Sequence, residues 1–128
     1  MTTPSRPRSG AIVLAAALDV VLVLVFAAIG RASHDESAFG LGLLTTAWPF
    51  LAALGVGWVA TLAWRGPFEI GRTGVPVWVI TVVGGMLLRF VSGQGTALPF
   101  IIVATIVLGV TLVGWRAIAA LIRRLRSR

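Results

Sequence analysis

The stretch AIVLAAALDVVLVLVFAAI, from Ala11 to Ile29, decides the fold, and Asp19 is its only charged residue. About 20 apolar residues suffice for one helix to cross the ~30 Å hydrocarbon core of a bilayer. Barrel strands would alternate apolar and polar residues, and this stretch does not. Three further apolar runs follow, so we predict an all-α, membrane-spanning four-helix bundle with helices over residues 11–29, 46–64, 75–91 and 97–115.

The composition of the chain points to the same class of protein. Of its 128 residues, 58% are hydrophobic and 12% are charged, and the mean hydropathy is +1.00. A soluble domain carries roughly 25% charged residues. This chain has too little polar surface to cover a soluble globule, which argues against a soluble enzyme, a disordered protein and a nucleic-acid-binding protein. The absence of cysteine excludes disulfides and thiolate metal sites.

The placement of arginine predicts the orientation in the membrane. Nine of the eleven arginines lie on one side of the predicted helices, and only Arg31 and Arg89 lie on the other. Cytoplasmic loops carry the excess of basic residues, so we expect a multi-pass protein of the cell membrane with both termini in the cytoplasm. Residues 1–10 and 116–128 are then basic cytoplasmic tails that flank the membrane domain, residues 11–115. Anionic lipids attract such arginines by ~1 kcal/mol each, and the expected lipid contacts are Arg116, Arg123, Arg124 and Arg126.

An internal repeat is visible in the sequence. TAWPF at 46–50 recurs as TALPF at 96–100, and Trp-Arg at 64–65 recurs at 115–116. Both copies run in the same direction, which indicates two parallel repeated helical hairpins. Convergence is the alternative, because helix starts favour Thr and Pro and cytoplasmic ends favour Trp and Arg whatever their ancestry.

Asp19 is the first candidate functional residue. An ionised carboxylate in the middle of a transmembrane helix costs ~2.5–3.5 kcal/mol on insertion scales, so such residues face the bundle interior. Counting ~1.5 Å per residue from the predicted helix ends places three side chains on other helices at a similar depth. We predict a midplane polar cluster of Asp19, Trp58, Thr81 and Thr105. A packing role for Asp19 and a role in proton transfer both fit this pattern.

A second polar cluster is expected at the outer face. It comprises Arg31, His34, Asp35 and Arg89. Residues adjacent in sequence rarely all bind one ion and the chain has a single histidine, so we predict neither a metal nor a cofactor. A solvated, charge-balanced loop is the simpler interpretation of these residues.

Several short motifs together resemble a family of small four-helix membrane proteins, found mainly in high-GC bacteria and haloarchaea and known only as a domain of unknown function. The motifs are Leu18-Asp19, Gly30-Arg31 with Ser33-His34, Trp48-Pro49-Phe50, Gly57-Trp58, Gly85-Met86 with Arg89, Gly93-Gln94-Gly95-Thr96 and Gly114-Trp115-Arg116. The resemblance covers about Ala11 to Arg116. It implies a multi-pass membrane protein and assigns no activity.

Three functions fit the sequence. The first is a non-enzymatic membrane protein that acts by association, as a homo-oligomer or as an accessory subunit of a larger membrane complex. Small residues at four-residue spacing, as at Ala53, Gly57 and Thr61, favour close helix contacts of this kind. The alternative is a dimeric transporter of a small solute or ion, in which Asp19 couples protons or contacts the substrate. A membrane enzyme acting on lipid is the third, and it lacks a recognisable catalytic set.

Overall fold

The computed structural model describes residues 8–32 and 40–127, and in these residues the chain forms four α-helices. They are α1 (Ser9–Ala32), α2 (Leu41–Thr61), α3 (Val75–Val91) and α4 (Leu98–Arg126). All four spans, the third counted from Ile70, are long and apolar enough to cross a membrane. The prediction of an all-α four-helix bundle is confirmed.

The helices run alternately up and down. The carboxyl ends of α1 and α3 and the amino ends of α2 and α4 meet around one pocket, at what we call the Ala32 end. The Ser9 end is the opposite end, where a connection between α2 and α3 contains a 3₁₀ turn (Ala63–Arg65) and a π-helical turn (Ile70–Gly74). This connection matters for the site, because its backbone contacts α4.

The largest differences from the predicted helix boundaries are at the start of α2 and at the end of α4. Helix α2 begins at Leu41 rather than near Thr46, so Pro49 lies inside it. In lipid, the polar backbone groups of 41–45 are best satisfied within a helix, and transmembrane helices tolerate an internal proline. Helix α4 continues through the predicted tail to Arg126. Its 29 residues span about 44 Å, which is longer than the hydrocarbon core is thick.

Small residues let α2 and α3 approach each other closely. A Cβ atom on Gly84 would lie 2.9 Å from the Cβ of Ala53, and one on Gly85 would overlap the ring of Phe50. On α4, a Cβ on Gly109 would lie 2.8 Å from the ring of Trp78, whose indole donates a hydrogen bond to a carbonyl of α4. These small residues therefore serve packing within the chain, which the sequence pattern alone left undecided.

Three phenylalanine rings pack together between the two ends of the bundle. Phe26 and Phe50 meet edge to face, with ring centroids 5.3 Å apart. Phe100 lies 5.9 Å from Phe26 and 6.1 Å from Phe50. Phe26 and Phe50 are almost fully buried, and Phe26 and Phe100 also line the pocket at the Ala32 end, so this aromatic cluster forms part of the pocket wall.

Candidate functional site

Asp19 lies in the middle of α1 and is fully buried. Its Oδ1 accepts hydrogen bonds from Trp115 Nε1 at 2.8 Å and Arg116 Nη1 at 3.0 Å. Its Oδ2 accepts from Trp58 Nε1 at 2.8 Å and Arg116 Nη2 at 2.7 Å. A carboxylate offers about four lone-pair positions, so these four donors saturate it. We call Asp19, Trp58, Trp115 and Arg116 the Asp19 cluster.

Arg116 supplies the charge that balances Asp19. Its side chain is fully buried and forms a bidentate ion pair with the carboxylate. Arg116 Nε also donates to the carbonyl of Pro67 at 2.8 Å, and Nη1 donates to the carbonyl of Leu112 at 2.9 Å. The guanidinium group of Arg116 therefore joins α1, α4 and the connection between α2 and α3, and Trp58 joins α2 to the cluster through Asp19.

Side-chain direction explains how Arg116 reaches this depth. Helical side chains point back towards the amino end of their helix. The guanidinium of Arg116 accordingly folds back to the level of Leu112, one turn deeper in the bundle than its own Cα. There it lies 4.5 Å from the ring of Trp115, a cation–π contact that shields the charge further.

The backbone around Arg116 is shaped to admit it. A Cβ on Gly74 would lie 2.9 Å from Cδ of Arg116, so a glycine leaves room at this point. Thr73 donates its hydroxyl to the carbonyl of Gly66 at 2.6 Å and so fixes the turn that carries Pro67. The ring of Phe68 meets Trp115 edge to face at 5.2 Å. The connection therefore closes the Asp19 cluster from the Ser9 end.

The two threonines predicted for the midplane cluster, Thr81 and Thr105, make no hydrogen bond to Asp19. Thr81 is buried, but its hydroxyl oxygen has no partner among the described residues. Thr105 donates its hydroxyl to the carbonyl of Ile101 on its own helix at 2.7 Å. Of the three predicted partners, Trp58 binds Asp19. The other partners of Asp19 are Trp115 and Arg116, instead of the two threonines.

The assignment of Arg116 to anionic lipid needs correction, because its side chain is fully buried against Asp19. Arg116 directly follows the predicted fourth helix, residues 97–115, but its long side chain points back into the bundle. Arg123, Arg124 and Arg126 are exposed on the last turns of α4, and their contact with lipid stays a prediction. The guanidinium of Arg123 lies 5.4 Å from the ring of Phe68.

The outer cluster is described only in part. His34 and Asp35 lie outside the described residues. Arg31 donates from Nη1 to the hydroxyl of Thr46 at 3.1 Å. Arg89 lies 4.3 Å above the ring of Phe100 and hydrogen-bonds the turn that follows α3. Both arginines line the pocket at the Ala32 end, whose volume is about 500 Å³.

The described residues offer no constellation for a metal. Within 8–32 and 40–127, no group of three or more His, Cys, Asp or Glu side chains is placed to hold an ion. What the Asp19 cluster can do chemically is neutralise two opposite charges inside the bundle and tie four segments together. Removing one partner from such a buried pair typically costs about 3–5 kcal/mol, because the other charge is left uncompensated.

Residues 16–119 match the family DUF3054, whose description is "Protein of unknown function". The chain belongs to this family. The matched range begins just before Asp19 and ends just after Arg116, so all members of the Asp19 cluster lie within the DUF3054 region. The predicted resemblance to a four-helix family of unknown function is confirmed. No curated protein and no solved structure matches the chain.

Proposed function

We propose that this DUF3054 chain is a non-enzymatic, multi-pass membrane protein that acts by association, as a homo-oligomer or as an accessory subunit of a larger membrane complex. The observation that carries the proposal is the saturation of Asp19 by four donors on Trp58, Trp115 and Arg116. A carboxylate that is fully buried and already paired suits the holding of helices better than the exchange of protons with water. The bundle is then a rigid body that offers its outer surface to partners.

The outer surface of the helices supports this proposal. Within the most apolar part of each span, only 17–33% of the residues are buried inside the chain. On α2, Gly55 is exposed and a Cβ added there would meet open space. Exposed small residues permit close approach of a second helix in lipid. A face of α2 centred on Gly55 is therefore our candidate for the contact with another protein.

The proposal includes an orientation with both termini in the cytoplasm of a cell with an anionic inner leaflet. The arginine excess at the Ser9 end supports it, since Arg65, Arg72, Arg123, Arg124 and Arg126 are all exposed there. A reporter enzyme that is active only in the cytoplasm should be active when fused after Arg128. An inactive fusion that is still present in the membrane would show the opposite orientation.

Native mass spectrometry of the chain, released gently from membranes, tests association. We expect a dimer, a higher oligomer or a complex with another subunit. Gly55→Phe should reduce that species, because a bulky ring prevents close helix approach. Val83→Phe, a change at an exposed position on α3, is the matched control and should leave assembly unchanged. A monomer at every protein concentration, together with no co-purifying subunit, would refute the proposal.

A dimeric transporter of a small solute or ion is the second candidate, and one observation favours it. The pocket lies at the Ala32 end and is lined by Phe26 and Phe100 of the aromatic cluster, and the connection between α2 and α3 closes the Asp19 cluster at the other end. This order resembles a site open to one side of a membrane. Proton-coupled uptake into proteoliposomes that disappears in Asp19→Asn, with the assembly intact, would favour transport over association.

A further inference from the structure

The pocket at the Ala32 end has the size of a small-molecule site. Its volume of about 500 Å³ falls within the ~300–1,000 Å³ typical of ligand pockets. All four helices and the turn before α4 contribute to its wall. Its lining includes Phe26, Arg31, Thr46, Arg89, Gln94 and Phe100. The Asp19 cluster does not contribute, so this pocket is a separate feature of the molecule.

Arg89 gives one wall of the pocket a positive charge held in a fixed position. Its Nε donates to the carbonyl of Gly95 at 3.1 Å, and its Nη1 and Nη2 donate to the side chain and carbonyl of Gln94, each at 3.2 Å. All three acceptors are neutral, and no ion pair of Arg89 occurs among the described residues. A guanidinium has five N–H groups, so these three bonds orient the side chain and leave two donors for a ligand.

An apolar part of the pocket wall adjoins Arg89. Phe26, Phe100 and Val103 line it, and the guanidinium of Arg89 lies 4.3 Å from the ring of Phe100. Arg31 reaches the same pocket and is held by the hydroxyl of Thr46. Among the lining residues that the structure describes, none is acidic. The pocket thus combines the oriented guanidinium group of Arg89 with an adjoining aromatic and aliphatic surface.

We propose that this pocket binds an amphipathic oxyanion, with its carboxylate or phosphate on Arg89 and its apolar part against Phe26, Phe100 and Val103. Guanidinium groups match the planar geometry of carboxylates and the oxygens of phosphates through paired hydrogen bonds. Such a ligand is either a free organic acid or an anionic lipid whose headgroup enters the pocket. The proposal is independent of whether the protein acts by association or by transport.

Octanoate is the probe for the free acid. The full chain is placed in nanodiscs of phosphatidylcholine. Binding of radiolabelled octanoate is compared with binding of radiolabelled octanol and octyltrimethylammonium, each measured separately. We expect saturable binding of octanoate only. Arg89→Gln should weaken it about tenfold or more, because the charge-assisted bonds are lost. Arg72→Gln, which removes an exposed arginine at the Ser9 end, is the matched control and should bind octanoate as the parent protein does.

A second variant keeps the test decisive if Arg89→Gln fails to fold. Val103→Trp fills the pocket from an exposed lining position and leaves both arginines in place. It should also lose octanoate binding, while the helical circular dichroism signal stays unchanged. Octanol binding as well as octanoate would refute the role of charge. Unchanged octanoate binding in a folded Val103→Trp protein would refute the location.

Mixed nanodiscs distinguish the lipid from the free acid as the source of the oxyanion. The mixed nanodiscs contain phosphatidylcholine and phosphatidylglycerol, and native mass spectrometry counts the phosphatidylglycerol molecules that the chain retains. Retention that falls in Arg89→Gln and Val103→Trp, and that octanoate displaces, identifies a lipid headgroup as the occupant. Binding of octanoate with no variant-dependent retention of lipid identifies a free acid. If neither ligand depends on Arg89 and Val103, the proposal is wrong.

Discussion

The same dipeptide, Trp-Arg, has two different environments in this molecule. Trp64-Arg65 lies in a 3₁₀ turn after α2 has ended, and both residues are exposed. Trp115-Arg116 lies within α4, where Arg116 is fully buried and both side chains bind Asp19. The environment of an arginine near the membrane boundary therefore depends on whether its helix continues and on what faces it.

The facing helices account for this difference. In the predicted repeat Arg31 corresponds to Arg89, and twelve residues before them stand Asp19 on α1 and Val77 on α3. Asp19 needs a cation inside the bundle, and Arg116 provides it. Val77 is buried and needs none. Whether the two hairpins superpose stays a prediction, but the two halves differ at the position that decides where a charge is buried.

The largest effect is expected when Arg116 is removed. Arg116→Met should lower the free energy of unfolding by about 3–5 kcal/mol, because Asp19 is left as a buried, unpaired acid. Unfolding in mixed micelles with increasing denaturing detergent measures this change. Arg65→Met is the matched control and should change stability by less than about 0.5 kcal/mol. Equal effects of the two changes would show that the Asp19 cluster contributes nothing to stability.

Two further variants define what the ion pair contributes. Asp19→Asn keeps the size of the side chain but leaves the charge of Arg116 uncompensated, so we expect a loss similar to that of Arg116→Met. The double change Asp19→Leu with Arg116→Met removes both charges and should recover part of the lost stability. The rest stays lost, because Trp58 and Trp115 no longer have an acceptor for their indole N–H groups. A double variant as unstable as the single ones would argue against charge pairing as the cause.

The next effect concerns the half of the molecule that lacks the acid. Val77→Asp should lower the free energy of unfolding by about 3 kcal/mol, the scale of leaving a buried charge without a partner. Arg65 lies in an exposed turn beyond the end of α2 and is not placed to pair with it. Val77→Asn is the control for shape and polarity, and its smaller loss isolates the effect of charge. Unchanged stability of Val77→Asp would mean that the new acid finds a cation, either Arg65 or Arg116, whose Cδ lies close to Gly74, three residues before Val77.

A smaller effect is expected for each indole that binds Asp19. Trp58→Phe and Trp115→Phe should each cost about 1.5–3 kcal/mol, the range for a hydrogen bond to a charged group. Trp64→Phe removes the indole N–H at the exposed copy of the dipeptide and should cost less than about 0.5 kcal/mol. Unfolding in mixed micelles compares the three. Equal free energies of unfolding for Trp115→Phe and Trp64→Phe would contradict the prediction, because the bond from Trp115 to Asp19 would then contribute nothing to stability.

The fold was predictable from the sequence, and the site only in part, for physical reasons. A bilayer requires long apolar helices, so hydropathy alone predicts four of them. The similar depth of Trp58 and Asp19 along their helices correctly predicted their contact. The pairing of Arg116 with Asp19 was not predicted, because Arg116 follows the predicted fourth helix in sequence. Its side chain extends one turn towards the amino end of that helix. The carbonyl of Pro67 carries no sequence signal at all, since any residue has one.

The smallest effect tests the space around Arg116. Gly74 and Gly71 lie in the same π-helical turn, but only a Cβ on Gly74 would meet Arg116. Gly71→Ala should stabilise the protein by about 0.4–1 kcal/mol, because alanine reduces the freedom of the unfolded chain. Gly74→Ala should lose this gain and about 1 kcal/mol more, because Arg116 is held by hydrogen bonds and has to move. In an Arg116→Met background the two alanine variants should behave alike, because methionine is flexible and unbonded there. A difference that persists in this background would place the obstruction in the backbone near Glu69, 3.6 Å from the added Cβ, rather than in the arginine of the Asp19 cluster.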